Sequence, residues 1–286
     1  MQSNWEDVIG LGVAGNFAGH LEQAGEASDF KDLEIEDARA PKGVFPFYVP
    51  GQGSHFLHRY PISAEHVRLG SEDEKHQIEP EVSLLCELEY DGDRIVGIVP
   101  REAMAHNDCS IRREGAKKIS EKKNWGPDSK GTASQSIQID RFESGGGLDD
   151  YRIASYLLRD GKLFEYGVDS AVRSYSYMYG QLISWLIEKL NDQVDEGPLE
   201  NISDWLAVAG HPSQALISIG ATLYTDFGET TFLERGDQSI VALYDENRYD
   251  GEAIRRIASG EDSSTSDTSD TTGAFEGLSL LRQEVI

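Results

Sequence analysis

Cysteine is almost missing from this chain: Cys86 and Cys109 are the only two among 286 residues. A disulfide scaffold is thereby excluded, and two isolated thiols fit a reducing cytoplasm. No apolar run reaches the roughly 18 residues that a membrane-spanning helix needs. The start, Met1-Gln2-Ser3-Asn4-Trp5-Glu6-Asp7, lacks the basic-then-apolar order of a secretory signal. Positive charge is scarce as well: lysine and arginine total 26 against 51 aspartates and glutamates, a net charge of -25. Sequence-independent nucleic-acid binding needs a basic surface that displaces counterions, so nucleic acid is excluded as a partner. An anionic membrane surface is excluded by the same sign of charge. What is present is a solvated acidic shell over a chain whose 38% hydrophobic residues suffice for a core.

Val8 to Gly12 is short, apolar and glycine-bounded, and reads as a strand end. A brief helix is expected from Asn16 to Ala24, stopped by Gly25. Val44-Phe45-Pro46-Phe47-Tyr48-Val49 is an aromatic strand in which Pro46 disfavours a central position. The clearest strand pair is Glu81 to Tyr90 with Arg94 to Val99, joined by the hairpin signal Asp91-Gly92-Asp93. Residues 112–131 read as a loop or broken helix. Further strands are expected at 134–142 and 151–158, with a second hairpin signal at Asp160-Gly161-Lys162. Leu182, Ile183, Leu186, Ile187 and Leu190 recur at helical spacing within a helix from about Ser174 to Leu190, with Trp185 bordering that stripe. Later strands are expected at 215–224, 230–234 and 238–244. Residues 261–273 hold no apolar side chain, which predicts disorder. Beyond them Phe275, Leu278, Leu280 and Leu281 are able to dock on the body or on a partner. The class is α+β, strand-dominated, without regular βαβ alternation.

Glu79-Pro80-Glu81 is the most informative stretch. On a strand, residues two apart share a face, so both carboxylates can aim at one cation. Carboxylate oxygens are hard ligands that favour Mg²⁺, Mn²⁺ or Ca²⁺ over zinc. Glu-x-Glu pairs also occur at 34/36, 72/74 and 87/89, so spacing alone decides nothing. The order of residues does more. Glu79-Pro80-Glu81-Val82 is followed by Asn107-Asp108-Cys109-Ser110-Ile111-Arg112, then by Lys122 and Gly131. Together with Gly15-Asn16-Phe17-Ala18-Gly19-His20 near the start, and Ile219-Gly220-Ala221-Thr222 and Glu234-Arg235-Gly236-Asp237 near the end, this order resembles the fumarylacetoacetate hydrolase superfamily.

The resemblance implies a mixed β-roll or β-sandwich with peripheral helices, often dimeric. It implies one domain over residues 1–260, with an N-terminal strand and lid segment to about 50 and the β-roll core beyond, and an acidic disordered tail at 261–286. Glu79, Glu81 and Asp108 are implied as ligands of Mg²⁺, with Mn²⁺ or Ca²⁺ as alternatives. Lys122 is implied as the charge partner of the substrate or its enolate, and Lys123 is its register alternative. Asn16, Arg112 and Thr222 are carried over as substrate-binding residues. The implied substrate is a small 2-oxo or 1,3-dioxo acid, cleaved, decarboxylated or isomerised through a metal-stabilised enolate. His20 is the candidate base. Members of the superfamily commonly pair it with a Glu three residues later, where this chain has Gln23; Glu22 and Glu26 are the nearest acids.

Two other readings stay open at this point. Gly10-Leu11-Gly12-Val13-Ala14-Gly15 matches the dinucleotide-binding fingerprint, with Glu34 or Glu36 as the ribose acid and NAD(P) as cofactor. Gln23 in place of an acid favours a non-catalytic member serving as a binding protein. His55 and His58, three apart, lack a supporting Cys or acid for a transition-metal site.

Overall fold

The computed structural model describes residues 5–31, 37–71, 73–113, 115–261 and 276–286. Glu34, Glu36, Glu72, Phe275 and all but the first residue of the 261–273 tract lie outside the described residues. The fold is α+β, as the patterning implies. An eight-stranded sheet runs in the order Gly43–Tyr48, Ile9–Ala14, Gln214–Ser218, Pro80–Asp91, Arg94–Asn107, Lys130–Thr132, Ile62–Ser63, with Ile137–Gln138 also on Arg94–Asn107. A five-stranded sheet runs Lys162–Ala171, Tyr151–Arg159, Gln238–Asp245, Leu278–Val285, His66–Val67. His76–Gln77 pairs with Ser110–Ile111 as a separate ribbon. Val82, Leu84, Ala103 and Ala105 of the first sheet share one buried core with Ile153, Leu157, Val241, Leu243 and Leu281 of the second. Two helices, Tyr179–Asp192 and Ile202–Val208, pack into the same core through Leu182, Leu186, Leu190, Ile202 and Leu206. No described helix is long and apolar enough to cross a membrane.

The hairpin that carries the acids is longer than its sequence pattern shows. Its arms, Pro80–Asp91 and Arg94–Asn107, meet at a tight turn through Gly92 and pair from Asp91–Arg94 back to Pro80–Asn107. Glu79 and Asp108 therefore flank its open end, where Asp108 N–H donates to the Glu79 carbonyl at 3.0 Å. Gly43–Tyr48 is an edge strand, which is where Pro46 belongs.

Several boundaries move. The long helix spans Tyr179–Asp192 and buries Leu182, Trp185, Leu186 and Leu190. Val172–Ser174 forms a separate 3₁₀ turn before it. The expected helix at 16–24 shrinks to His20–Gln23, because Gly19 enters it with a left-handed φ of 86°. Residues 226–230 are helical, capped by the Thr225 hydroxyl accepting from Gly228 N–H, so the strand expected at 230–234 does not form. Only Ile137–Gln138 of the strand expected at 134–142 pairs, and the strand expected at 215–224 ends at Ser218.

The largest revision is at the C-terminus. Leu278–Val285, assigned to the tail, pairs antiparallel with Gln238–Asp245 and parallel with His66–Val67. Leu278, Leu281 and Val285 are buried there, which makes this strand part of the core. The dinucleotide reading fails for a packing reason. Gly10 and Gly12 sit inside strand Ile9–Ala14, where a Cβ would come within 2.2 Å of the Phe47 and Phe45 rings of the neighbouring strand. They are glycines to admit those rings, and the helix that follows has only four residues.

Candidate metal centre

Glu79, Glu81 and Asp108 converge, each offering a carboxylate oxygen within 4.8 Å of the others, and all three are buried. They are the only such acid, His or Cys group among the described residues, and His55 and His58 form none. The strand period of two puts Glu79 and Glu81 on one face. The hairpin register places His106 opposite Glu81 and brings Asp108 back beside Glu79.

Asn107 fixes this corner. Its carbonyl oxygen accepts Glu79 N–H at 3.2 Å, and its amide donates to Ser239 Oγ at 3.2 Å and Gln283 Oε1 at 3.0 Å. The C-terminal strand thus supports the site from beneath. Gly220, with a left-handed φ of 114°, turns its N–H onto Glu81 Oε2 at 2.8 Å.

Three cations compensate the acids. Lys123 Nζ lies 2.6 Å from both Glu79 Oε2 and Asp108 Oδ2, Lys130 Nζ lies 3.0 Å from Asp108 Oδ1, and Arg112 Nη1 lies 2.7 Å from Glu79 Oε1. Burial would raise the Glu79 carboxyl, but Lys123 and then Arg112 hold it well below the usual range. Glu81 has the opposite balance: burial, and then Asp108, push it well above that range. An acid so placed lacks a cation of its own. Three hard oxygens, one of them undercompensated, fit a divalent ion of the Mg²⁺ type.

The catalytic and substrate-binding assignments change more. Lys122 does not enter this cluster; it pairs with Glu26 Oε1 at 3.1 Å and Asp29 Oδ2 at 2.8 Å, and its register alternative Lys123 takes the place beside the acids. Glu22 is exposed, on the side of its short helix away from buried His20. Asn16 is buried and fully used: it donates to the Tyr177 and Ile219 carbonyls and accepts Tyr177 N–H, which leaves nothing for a substrate. Thr222 serves through its main chain, its carbonyl lying 2.8 Å from His20 Nδ1. A carbonyl only accepts, so Nδ1 carries the proton and Nε2 is the basic nitrogen. Burial lowers the ring's pKa, which keeps it neutral. Gln23 is bound at both ends to Tyr224 main chain and acts as a latch for the His20 segment. Arg112 is spent on protein groups: Gln77 at 2.6 Å, Glu26 at 2.9 Å, Tyr224 at 2.8 Å and Glu79.

Lys130, Glu26 and Asn107 belong to the site but were not singled out from the sequence for these roles. Lys130 directly precedes Gly131, a residue the motif order had marked, and that adjacency was the available signal. Glu26 was marked only as one of the acids nearest His20, since its place beside the cluster depends on how the chain folds back over the acids.

His20, Glu26, Glu79, Glu81 and Lys123 line a cavity of about 20 Å³, room for about one water. Glu26 is also on the wall of a larger outer cleft of about 600 Å³, with Arg112, Arg113, Lys75 and Lys122. Lys122 therefore ties down a strap beside the cavity that carries Glu26, Asp29 and the 3₁₀ turn Ala27–Phe30. Lys122→Met is expected to leave divalent-metal affinity within about twofold, while speeding protease cleavage near residues 27–30; a tenfold loss of affinity would place this lysine back at the acids.

This hairpin-borne triad over two packed sheets is accompanied by a match over most of the chain, residues 26–284. The chain belongs to DUF5718, a family of unknown function. No curated protein matches this DUF5718 chain in sequence. Solved structures do match it in fold. A 2-keto-3-deoxyarabinonate dehydratase gives a TM-score of 0.53 at 13% identity, covering 97% of this chain and 73% of the other. A 2-keto-3-deoxy-D-arabinonate dehydratase complexed with magnesium and 2,5-dioxopentanoate gives 0.50 at 14% identity, covering 97% and 72%. A protein assigned to the fumarylacetoacetate hydrolase family, from Yersinia pestis CO92, gives 0.50 at 11%, covering 98% and 94%. The DUF5718 chain thus has the fumarylacetoacetate hydrolase fold that its motif order implied.

Proposed function

We propose that this protein is a divalent-metal-dependent enzyme acting on a small 2-oxo or 1,3-dioxo acid by forming its enolate. The observation that carries this reading is the buried triad Glu79, Glu81 and Asp108, of which Glu79 and Glu81 line a cavity shared with neutral His20. The dehydratase of the same fold, solved with magnesium and a dioxo acid, supports it by analogy. Those three carboxylates would hold the ion, which would polarise the oxo oxygen and offset the enolate's negative charge.

The chain's own residues supply the rest. His20 Nε2 has a lone pair on a ring held neutral by burial, and is suited to take a proton from the carbon beside the oxo group. Lys123 adds a positive charge on the same wall. Gln23 is occupied by main chain and is no acid, so water activation by an acid-backed histidine is disfavoured. Proton transfer leading to isomerisation, or to loss of a leaving group beside the enolate, fits this arrangement better than C–C hydrolysis. The inner cavity is too small for the substrate, so the strap carrying Glu26 has to move for entry.

Metal-free protein titrated with Mg²⁺ or Mn²⁺ is expected to melt at a higher temperature, and higher again with oxalate, a mimic of an oxo-acid enolate. Saturation to a hundred times Kd stabilises by about 2.7 kcal/mol. Glu81→Gln should keep the fold and lose roughly 100-fold or more in metal affinity, above the 10–100-fold typical of second-sphere partners. A wild-type protein indifferent to every divalent ion, with and without oxalate, would remove this function.

A further inference from the structure

The ammonium of Lys123 stands between two of the three acids, 2.6 Å from an oxygen of each. A divalent cation of the magnesium or calcium type takes carboxylate oxygens at about 2.0–2.6 Å. An ion that close to the same two oxygens would face the ammonium across a distance that like charges do not tolerate.

The charge count leads the same way. Lys123, Lys130 and Arg112 already match Glu79 and Asp108, while Glu81 has no cation at ion-pair distance. Adding a divalent ion with all three cations in place would bury an excess of positive charge, which is costly away from solvent.

Only one of the three cations has somewhere to go. Lys130 is fully buried and held by Asp108 and the Cys109 carbonyl. Arg112 is held by four partners. Lys123 instead lines the small cavity, and Glu26 is on the wall of that same space. Its four-carbon stem lets the ammonium swing without backbone movement.

We propose that Lys123 is a built-in counter-ion that competes with the divalent metal for Glu79 and Asp108, and that metal enters by displacing its ammonium towards Glu26. This rests on the reading of the triad as a metal centre. Two consequences follow: metal binding in the wild type is weak and exchangeable, and the displaced ammonium reaches the substrate side of the cavity only when metal is loaded. Lys123 is on this account a positioning residue that couples loading of the ion to the charge presented to the substrate.

The test is calorimetric titration with Mn²⁺ alone of wild type, Lys123→Met, Lys123→Gln and, as control, Lys122→Met. Both Lys123 variants are expected to bind Mn²⁺ roughly tenfold tighter or more, while Lys122→Met matches the wild type. In EDTA the Lys123 variants should melt below the wild type, because Glu79 and Asp108 lose their shared cation, and Mn²⁺ should restore them. A Lys123 variant that folds only with Mn²⁺ also supports the proposal. Equal or weaker affinity in both Lys123 variants, with the wild type binding normally, overturns the competition and leaves the metal centre standing. No binding by any of the four proteins overturns both.

Discussion

Asp108→Ala is expected to remove roughly 3–5 kcal/mol of folding stability, the range seen when one partner of a buried ion pair is deleted. Asp108 has no exposed side-chain surface and faces two buried ammonium groups, Lys123 at 2.6 Å and Lys130 at 3.0 Å. Without it, Lys123 still has Glu79, but Lys130 keeps only the Cys109 carbonyl and the face of Trp125, 5.5 Å away. A buried cation left that way cannot recover its hydration. Urea unfolding of the metal-free protein measures the loss. The double variant Asp108→Ala/Lys130→Met should recover part of it, since the stranded charge leaves with its partner. A single variant within about 1 kcal/mol of wild type would mean that the acids and lysines do not hold one another as described.

The second large effect is one of pH and lies beside the site. Glu200 accepts from Ser120 Oγ at 2.6 Å through Oε1, while Oε2 is buried without a partner. Burial raises its pKa to about 7, against 4.5 for an ordinary glutamate. The folded state therefore holds the proton more tightly than the unfolded chain. The associated stability is complete below about pH 4.5 and is lost as pH rises through about 7, by roughly 3 kcal/mol in all. Glu200→Gln keeps an acceptor for Ser120 and has no charge to bury. Its stability should be nearly flat across that window, and at pH 8 it should exceed wild type. Denaturant midpoints at pH 5 and pH 8 decide this; parallel curves would mean that Glu200 is ionised at no cost. Ser120 and Lys123 belong to the same segment, clamped to Pro198 through Ile119 N–H, so this change in pH also bears on the metal-facing lysine.

Part of this site was legible because its signals are local. The turn Asp91-Gly92-Asp93 and the alternation on either side define a hairpin within a single stretch of chain. A period of two is enough to put Glu79 and Glu81 on one face. The order of those acids, Asn107-Asp108 and a following lysine carried the fold resemblance. Lys122 and Lys123 show where such reading ends. They are neighbours at the end of one 3₁₀ turn, where successive side chains diverge by about 120°, and nothing in their spacing says which faces the acids. The C-terminal strand was obscured by the acidic tract before it, although Leu278, Leu281 and Val285 are buried.

By itself the sequence determined the strand-rich class and the acidic hairpin, which follow from composition and spacing, and its motif order carried the resemblance that implied the three carboxylates. Tertiary structure alone decided that Gly10 and Gly12 accommodate Phe47 and Phe45, that Asn16 is consumed by main chain, and that Lys123 and Lys130, with Glu26 behind them, complete the site. These depend on where segments distant in the chain lie against one another. A side chain's role in a buried charge cluster is set by the partners that burial denies to water, and no local pattern records them.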